Sequence, residues 1–178
     1  MARATLSEIE ACVLALIHEL GPVTPYAIRK DLLDSPTPQW SGSAGTIYPL
    51  VERLLRRGLI RAKSHYTGDR EGRRISLTPV GLRAFHRWLS APMPEWVAGI
   101  PPDPLRTRVR FLGALPTVAQ KAFVKEAQVK ARHQLRILKR DYALQRALGP
   151  FHRLMSRGAL LSMRSRLSFL EEAAAALK

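Results

Sequence analysis

The chain has 178 residues, 46 % of them hydrophobic, and a formal net charge of +15 at pH 7. This length suits one ordinary domain or a small domain with an appendage, and the hydrophobic content argues against global disorder. The charge indicates a polyanionic partner, nucleic acid before an anionic membrane. Residues 1–90 carry a net charge of +5 and residues 91–178 one of +10, so the excess is larger in the second half.

A single cysteine, Cys12, and five scattered histidines exclude an internal disulfide and a zinc cluster. We expect Cys12 to be a buried, inert thiol rather than a redox sensor. The N-terminus lacks the pattern of a secretion signal, and no apolar stretch approaches the roughly 18 residues that a membrane span requires. We therefore expect a cytoplasmic protein without a membrane partner, a metal or another cofactor.

Two capped helices are predicted at the start of the chain. Ser7 with Glu10 forms a capping box, and apolar residues at helical spacing follow until Gly21 ends the first helix. Thr24 is a natural N-cap, and Pro25 fits the first position of a second helix, where its missing amide costs nothing.

A third helix is predicted from about Ser43 to Arg57, and Pro49 leaves two possibilities for its start. If Thr46 is the N-cap, Pro49 lies in the first turn and no hydrogen bond is lost. If the helix begins at Ser43, Pro49 removes one hydrogen bond and should kink the helix. We favour an irregular first turn.

The pattern changes to period two after Gly58. Residues 60–66 alternate as in a half-exposed strand, residues 68–72 are typical of a turn, and residues 73–77 supply a returning strand. Together they predict a β-hairpin.

A fourth helix is predicted from Thr78-Pro79 to about Leu89. Its apolar side consists of Phe85 and Leu89 together with Leu82 or Val80. Five prolines between residues 91 and 104 then predict a semi-rigid linker.

The remaining chain is helical in character. A short helix is predicted at residues 105–115, and a capping box of Thr117 with Gln120 opens a long helix that ends at Gly149-Pro150. The last helix carries a heptad-like apolar seam. The candidate dimerisation residues are Leu135, Leu138, Leu160, Met163, Leu167, Leu170 and Leu177.

Three helices, a hairpin and a fourth helix, in this order, are typical of a winged helix-turn-helix domain. The third helix of such a domain enters the major groove, about 12 Å wide, and the hairpin contacts DNA beside it. Pro49, Arg53 and Arg56 lie opposite the apolar stripe of that helix. The candidate DNA-binding residues are Ser43, Thr46, Tyr48, Pro49, Arg53 and Arg56 on the helix and Lys63, Arg70, Arg73 and Arg74 on the hairpin.

These assignments have structural alternatives. Arg53, Arg56 and Arg57 could form only a solvated face, and Tyr48 could equally belong to the core. Glu52 could accept a hydrogen bond from a cytosine, but we favour an ion pair with Arg56 one turn away.

The sequence resembles PadR-type transcriptional regulators from about Leu6 to Leu89. The resemblance rests on several phrases in the right order: Gly45-Thr46-Ile47-Tyr48-Pro49-Leu50, Leu54, Gly58-Leu59-Ile60, Glu71-Gly72-Arg73-Arg74 and Leu77-Thr78-Pro79-Val80-Gly81. These stretches are similar to the recognition helix, the wing and the start of the fourth helix in that family. The resemblance implies C-terminal helices that mediate dimerisation and, in some members, a small hydrophobic or phenolic effector.

The predicted fold is mainly α with a small β-hairpin. It comprises a winged helix-turn-helix domain at residues 1–90, a linker at 91–104 and a helical dimerisation domain at 105–178. Trp88 and Trp96 bracket the start of the linker and are candidates for an effector pocket, although packing at a hinge is the favoured alternative.

The leading hypothesis is a sequence-specific regulator, a repressor, that binds double-stranded DNA as a homodimer and responds to an effector. The alternative is a winged-helix module for protein–protein interaction, with the charge serving non-specific adhesion to nucleic acid. The sequence has no Gly-rich phosphate loop, nucleophile elbow or metal constellation, which argues against an enzyme. The operator, the target genes and the role of the basic C-terminal helix do not follow from the sequence.

Overall fold

The computed structural model describes residues 5–36, 42–67 and 70–177, apart from the side chains of Thr67, Arg70 and Glu71. The chain divides into two compact units, Met1–Pro94 and Glu95–Lys178. The boundary between the units lies inside the segment that the sequence predicts to be a linker.

The first unit contains α1 (Glu8–Leu20), α2 (Pro25–Asp34), α3 (Ala44–Arg56), β1 (Ile60–Thr67), β2 (Arg70–Leu77) and α4 (Pro79–Leu89). The second unit contains α5 (Glu95–Ala98), α6 (Pro104–Arg110), a 3-10 turn at Leu112–Ala114, α7 (Thr117–Gln145) and α8 (Pro150–Ala175). The predicted fold class, mainly helical with one antiparallel hairpin, is confirmed.

The predicted helix caps of the first unit are present. Ser7 and Glu10 form both hydrogen bonds of a capping box at the start of α1. The hydroxyl of Thr24 accepts from the amide of Ala27 at 3.2 Å. Thr78 does the same for Gly81 at 3.0 Å at the start of α4. These bonds satisfy amides that a helix start otherwise leaves without a partner.

One apolar core holds the first unit together. It collects buried side chains from α1, α2, α3, the base of the hairpin and α4. Val23, in the loop before α2, exchanges backbone hydrogen bonds of 3.0 and 2.8 Å with Ile75 of β2. Because Ile60 and Ile75 are both buried in this core, the base of the hairpin is fixed against the helices.

The start of α3 differs from the favoured prediction. Ser43 is the N-cap, and its hydroxyl accepts from the amide of Thr46 at 3.2 Å. An irregular first turn with Thr46 as the cap is therefore wrong, because the Ser43 cap allows a regular helix from Ala44. Pro49 consequently lies inside the helix and cannot donate to the carbonyl of Gly45.

The hairpin is longer than predicted. The two strands pair from Ile60 opposite Leu77 to Thr67 opposite Arg70, so residues 70–72 belong to the second strand rather than to the turn. The turn signal at Gly72 is misleading because this glycine pairs with His65 in the strand register. The turn residues themselves, 68 and 69, lie outside the described residues.

Two predictions near the domain junction are wrong. Leu89 and Val80 do not form the apolar side of α4, because both are exposed and Leu82, Phe85 and Trp88 pack on the core instead. The predicted linker contains a turn of helix, α5, and the start of α6.

The helices of the second unit also begin and end differently. Helical structure at residues 105–115 is split between α6 and the 3-10 turn. Thr117 is the first residue of α7 rather than its cap, and the side-chain amide of Gln120 donates from Nε2 to the carbonyl of Leu115 at 2.7 Å. The preceding Pro116 takes the cap position and offers no side-chain hydrogen bond. α7 ends at Gln145, before the predicted Gly149-Pro150 stop.

Part of the predicted dimerisation seam is used within a single chain. α7 packs against α8, and Leu138, Leu160 and Leu170 are buried between them, with 2 %, 3 % and 0 % of their surface exposed. These three leucines have almost no surface left for a partner, which corrects their assignment. Leu177 lies just beyond the end of α8.

Candidate nucleic-acid interface

The outer face of α3 is polar and accessible. Its apolar residues Ile47, Leu50, Val51 and Leu54 are buried in the core. The predicted contact residues Ser43, Tyr48, Pro49, Arg53 and Arg56 are exposed, and Thr46 is half-buried. Tyr48 exposes 44 % of its surface, which excludes it from the core.

The hydroxyl groups at the start of α3 serve the helix itself. Ser43 Oγ lies 2.9 Å from Thr46 Oγ1 and also caps the helix. Both hydroxyls sit beside the positive end of the helix dipole, where an anion such as a DNA phosphate is favoured.

Glu10, which the sequence predicts only as part of a helix cap, also binds two arginines of α3. Glu10 Oε1 accepts from Arg53 Nε at 3.0 Å, and Glu10 Oε2 accepts from Arg57 Nη1 at 3.0 Å. Burial alone would raise the pKa of Glu10, but the Ser7 amide and the two guanidinium groups more than offset it and lower the pKa. No sequence pattern links residue 10 with residue 53, so only the fold reveals this contact.

The predicted Glu52–Arg56 pair is wrong. Glu52 Oε1 instead accepts from Arg73 Nη2 at 2.7 Å, which links α3 to β2. The i,i+4 spacing made Arg56 the nearest candidate along the sequence, but the hairpin brings Arg73 closer. Arg56 has no ionic partner among the described side chains.

The outer face of the hairpin carries two cationic side chains that lie opposite each other. Lys63 and Arg74 are directly opposite each other in the antiparallel register, and both are exposed. Neither has an acidic partner among the side chains that the structure describes. Like charges at opposed positions destabilise a strand pair, so a bound anion would relieve this repulsion. Arg70, also predicted here, has a side chain outside the described set.

The two candidate effector residues have different surroundings, each within its own unit. Trp88 packs on the core of the first unit, stacks on Phe85 at 6.4 Å between ring centroids, and donates from Nε1 to Glu8 at 3.3 Å. Trp96, on α5 of the second unit, is largely exposed.

Other binding chemistries find little support in the described part of the chain. Its His, Cys, Asp and Glu side chains form no group of three that could hold a metal ion. None of its helices has the length and apolar character needed to cross a bilayer. Cys12 is half-buried, and burial, followed by the charge of Asp31, raises the pKa of its thiol.

Comparison with known proteins identifies the fold. Residues 13–87 match the model of the Transcriptional regulator PadR-like family. Bacillus subtilis PadR in complex with operator DNA has a similar structure, with a TM-score of 0.85 and 22 % identity over 98 % of this chain and 100 % of that one. No curated protein matches the sequence.

Two further structures are similar over nearly the whole length. A PadR-like transcriptional regulator from Bacillus cereus has a TM-score of 0.78 and 19 % identity, covering 100 % of this chain and 99 % of that one. Bacillus subtilis PadR in complex with p-coumaric acid has a TM-score of 0.76 and 21 % identity, covering 95 % and 98 %. Residues 13–87 of the first unit thus match the PadR-like family model, and the chain as a whole has the fold of these PadR structures.

Proposed function

We propose that this protein is a sequence-specific transcriptional repressor that binds a pseudo-palindromic operator as a homodimer in the cytoplasm. The observation that carries the proposal is the juxtaposition of the exposed polar face of α3 with a hairpin whose Lys63 and Arg74 have no described acidic partner. The complex of Bacillus subtilis PadR with operator DNA supports it, as a structure of the same fold.

The two elements divide the work of DNA binding. α3 enters the major groove. Its residues that face the base edges and flanking phosphates are Ser43, Tyr48, Pro49, Arg53 and Arg56. On the hairpin, Lys63 and Arg74 bind phosphates, since their charges are free to replace DNA counterions. Arg73, held by Glu52, fixes the hairpin beside α3.

A second copy supplies the other half of the operator complex. Two winged-helix units related by a two-fold axis present recognition helices to half-sites about 34 Å apart, one helical turn of DNA. Leu135, Met163 and Leu167 keep part of their surface exposed after α7 and α8 have packed. Beside them, the outer side of α8 exposes Phe151, Leu154, Met155 and Leu161, and we assign the dimer interface to these side chains.

A small phenolic effector is part of the proposal. The support is the complex of Bacillus subtilis PadR with p-coumaric acid. Trp96 is the better candidate contact here, because its ring is exposed, whereas that of Trp88 is engaged with Phe85 and Glu8. Titrating p-coumaric acid into a preformed protein–DNA complex tests this, and release of DNA by the acid but not by benzoic acid is the expected result.

A mobility-shift assay tests the DNA-binding function. The protein is titrated onto the DNA upstream of its own gene and onto a scrambled duplex of equal length and composition. Tighter binding to the upstream DNA, weakening steeply with salt, is expected. Binding no tighter than to the scrambled duplex would contradict specific recognition.

Two further measurements test the finer parts of the proposal. The first distinguishes repression from activation, and the second distinguishes a DNA-binding regulator from a protein–protein interaction module. A reporter fused to the upstream DNA should fall in output when the protein is supplied; a rise would indicate activation. Alanine at Tyr48 and Arg56 should abolish this regulation. Full function of that variant would favour a protein–protein interaction module.

A further inference from the structure

The start of α1 contains an acidic side chain that reaches across the first unit to the recognition helix. Glu10 exposes only 5 % of its surface. Its carboxylate accepts from the Ser7 amide at 3.0 Å as well as from Arg53 and Arg57, so both oxygens are engaged. The ion pairs therefore join residues that are far apart in the sequence: Arg53 lies 43 positions after Glu10, and Arg57 lies 47 positions after it.

The two arginines are held differently. Arg57 donates through Nη1 and is the C-cap residue of α3, with its side chain 26 % exposed. Arg53 donates to Glu10 through Nε, with its side chain 48 % exposed. This contact leaves both terminal amino groups of Arg53 available to an external acceptor. A planar guanidinium fixed at Nε can present these groups as a fork, the geometry that suits guanine or a phosphate.

We infer that Glu10 is a positioning residue for DNA recognition, which holds Arg53 in the orientation in which it contacts the operator. The inference rests on the proposed function of the first unit. It goes beyond it, because Glu10 lies on α1 and touches no DNA itself. A free arginine loses much of its rotamer freedom when it binds a base or phosphate, whereas an arginine already held by a carboxylate has lost that freedom during folding.

Positioning and simple electrostatics predict opposite results for the loss of the Glu10 charge. Coulomb attraction to DNA should increase when an acid near the recognition helix is neutralised. If Glu10 instead orders Arg53, the same change should weaken binding to the operator. Glu10→Gln is the suitable variant, since glutamine retains the capping-box contact with Ser7 while the charge is lost.

The experiment is a double-mutant cycle on the full-length protein. A preferred duplex is first selected from a randomised DNA pool with the wild-type protein. Dissociation constants for this duplex and for a scrambled one are then measured for wild type, Glu10→Gln, Arg53→Gln and the double variant. We expect Glu10→Gln to reduce the discrimination between the two duplexes about tenfold, within the range that one good bidentate contact supplies. In the Arg53→Gln background, Glu10→Gln should have no further effect on discrimination.

Arg57→Gln is the matched control. It removes the other guanidinium partner of Glu10, so it should lower the melting temperature but leave the discrimination unchanged. Equal loss of discrimination in Arg57→Gln and Glu10→Gln, or additive losses in the cycle, would overturn the inference and assign Glu10 a structural role. Unchanged or tighter operator binding by Glu10→Gln would also overturn it.

The proposed function can fail separately. If the wild-type protein selects no duplex from the pool, sequence-specific binding is absent and the regulator itself is in question. If Glu10→Gln does not fold, Arg53→Lys provides the second approach, because lysine keeps the charge but has no Nε donor and no fork. A loss of discrimination in Arg53→Lys similar to that in Arg53→Gln is then expected, and full retention would contradict the inference.

Discussion

The two units of this chain differ in how much of their apolar surface is buried. In the first unit, side chains from four helices and the hairpin base meet in one buried core. In the second unit, the buried apolar residues form a thin line between α7 and α8, including Val124, Leu138, Leu160 and Leu170. Large apolar side chains remain exposed beside it, such as Phe151 with 80 % and Leu144 with 72 % of their surface accessible.

This difference indicates which unit can be stable as a single copy. A compact unit gains its stability chiefly from apolar burial, so the first unit has what folding alone requires. A pair of long helices with an exposed apolar side resembles half of a larger core. Covering that side with a second copy would complete it, as expected for an obligate dimer interface.

The basic side chains of the two units differ in how often they form ion pairs. In the first unit, Arg53, Arg57 and Arg73 pair with carboxylates on another element. On α7 of the second unit, Lys121, Lys125, Arg132, Arg136 and Lys139 are all exposed, and none has a salt-bridge partner among the described side chains. Much of the positive charge of the second unit that lacks a described partner therefore lies along α7.

The largest effect is expected from Gly81→Ala in the first unit. A Cβ atom at this buried position would lie 1.9 Å from the carbonyl oxygen of Leu59, where backbone cannot move aside easily. We expect a loss of unfolding free energy above the usual overpacking cost of about 1–3 kcal/mol, measured by urea denaturation. Gly113→Ala in the second unit is the control, because nothing lies within 4 Å of the added atom. Equal stability of both variants would contradict the tight packing of the start of α4 against the backbone of Leu59.

The next effect concerns association through the second unit. Phe151→Ser with Leu154→Ser should raise the dissociation constant of the dimer by more than about a hundredfold, since each buried apolar side chain contributes about 1.5–3 kcal/mol and a tenfold change corresponds to about 1.4 kcal/mol. Sedimentation over a range of concentrations measures it. Leu89→Ser removes a similarly exposed side chain from the first unit and should leave association unchanged. If the double variant remains as dimeric as wild type, another surface forms the interface.

A smaller effect is expected from the pH dependence of the Glu10 cluster. The pKa of Glu10 lies below its ordinary value of 4.5, so its contribution is fully present above that pH and is lost as the pH falls through the pKa of the folded state. Glu10→Gln should therefore cost about 1–3 kcal/mol at neutral pH, and the difference from wild type should shrink towards pH ~3. Urea denaturation at several pH values measures this difference, and a constant difference would contradict the assigned ion pairs.

Local signals in the sequence predict the first unit well. Ser7, Thr24 and Thr78 each cap a helix through a contact three residues away, and the period of the apolar residues fixes which face is buried. Such features depend only on neighbours in the chain. The order of elements then suffices for the winged helix.

The contacts of the candidate site could not be predicted in the same way. The partners of Arg53 and Arg73 lie on other elements and are brought together only by tertiary packing. The apolar seam of α8 was ambiguous for a related reason. The spacing of its residues predicts that they are buried, but not which helix packs against them. Leu160 and Leu170 are covered by α7 of the same chain, whereas the predicted cover was a second copy.

The smallest effect distinguishes the two arginines of the wing. Both Arg73→Gln and Arg74→Gln remove one positive charge and, as exposed changes, should alter stability by less than about 1 kcal/mol. Since Arg74 has no described acidic partner, its loss should lower the salt dependence of DNA binding by about 0.9 in the logarithmic slope, for specific and scrambled DNA alike.

Arg73→Gln leaves Glu52 unpaired beside the DNA and should therefore weaken DNA binding. This loss of affinity should be repaired by Glu52→Gln, which restores the local net charge. The same Glu52→Gln change should not repair Arg74→Gln, because Arg74 lies on the face of the hairpin opposite to that of Arg73. Repair of both variants, or of neither, would mean that the unpaired charge of Glu52 is not the cause of the Arg73→Gln defect.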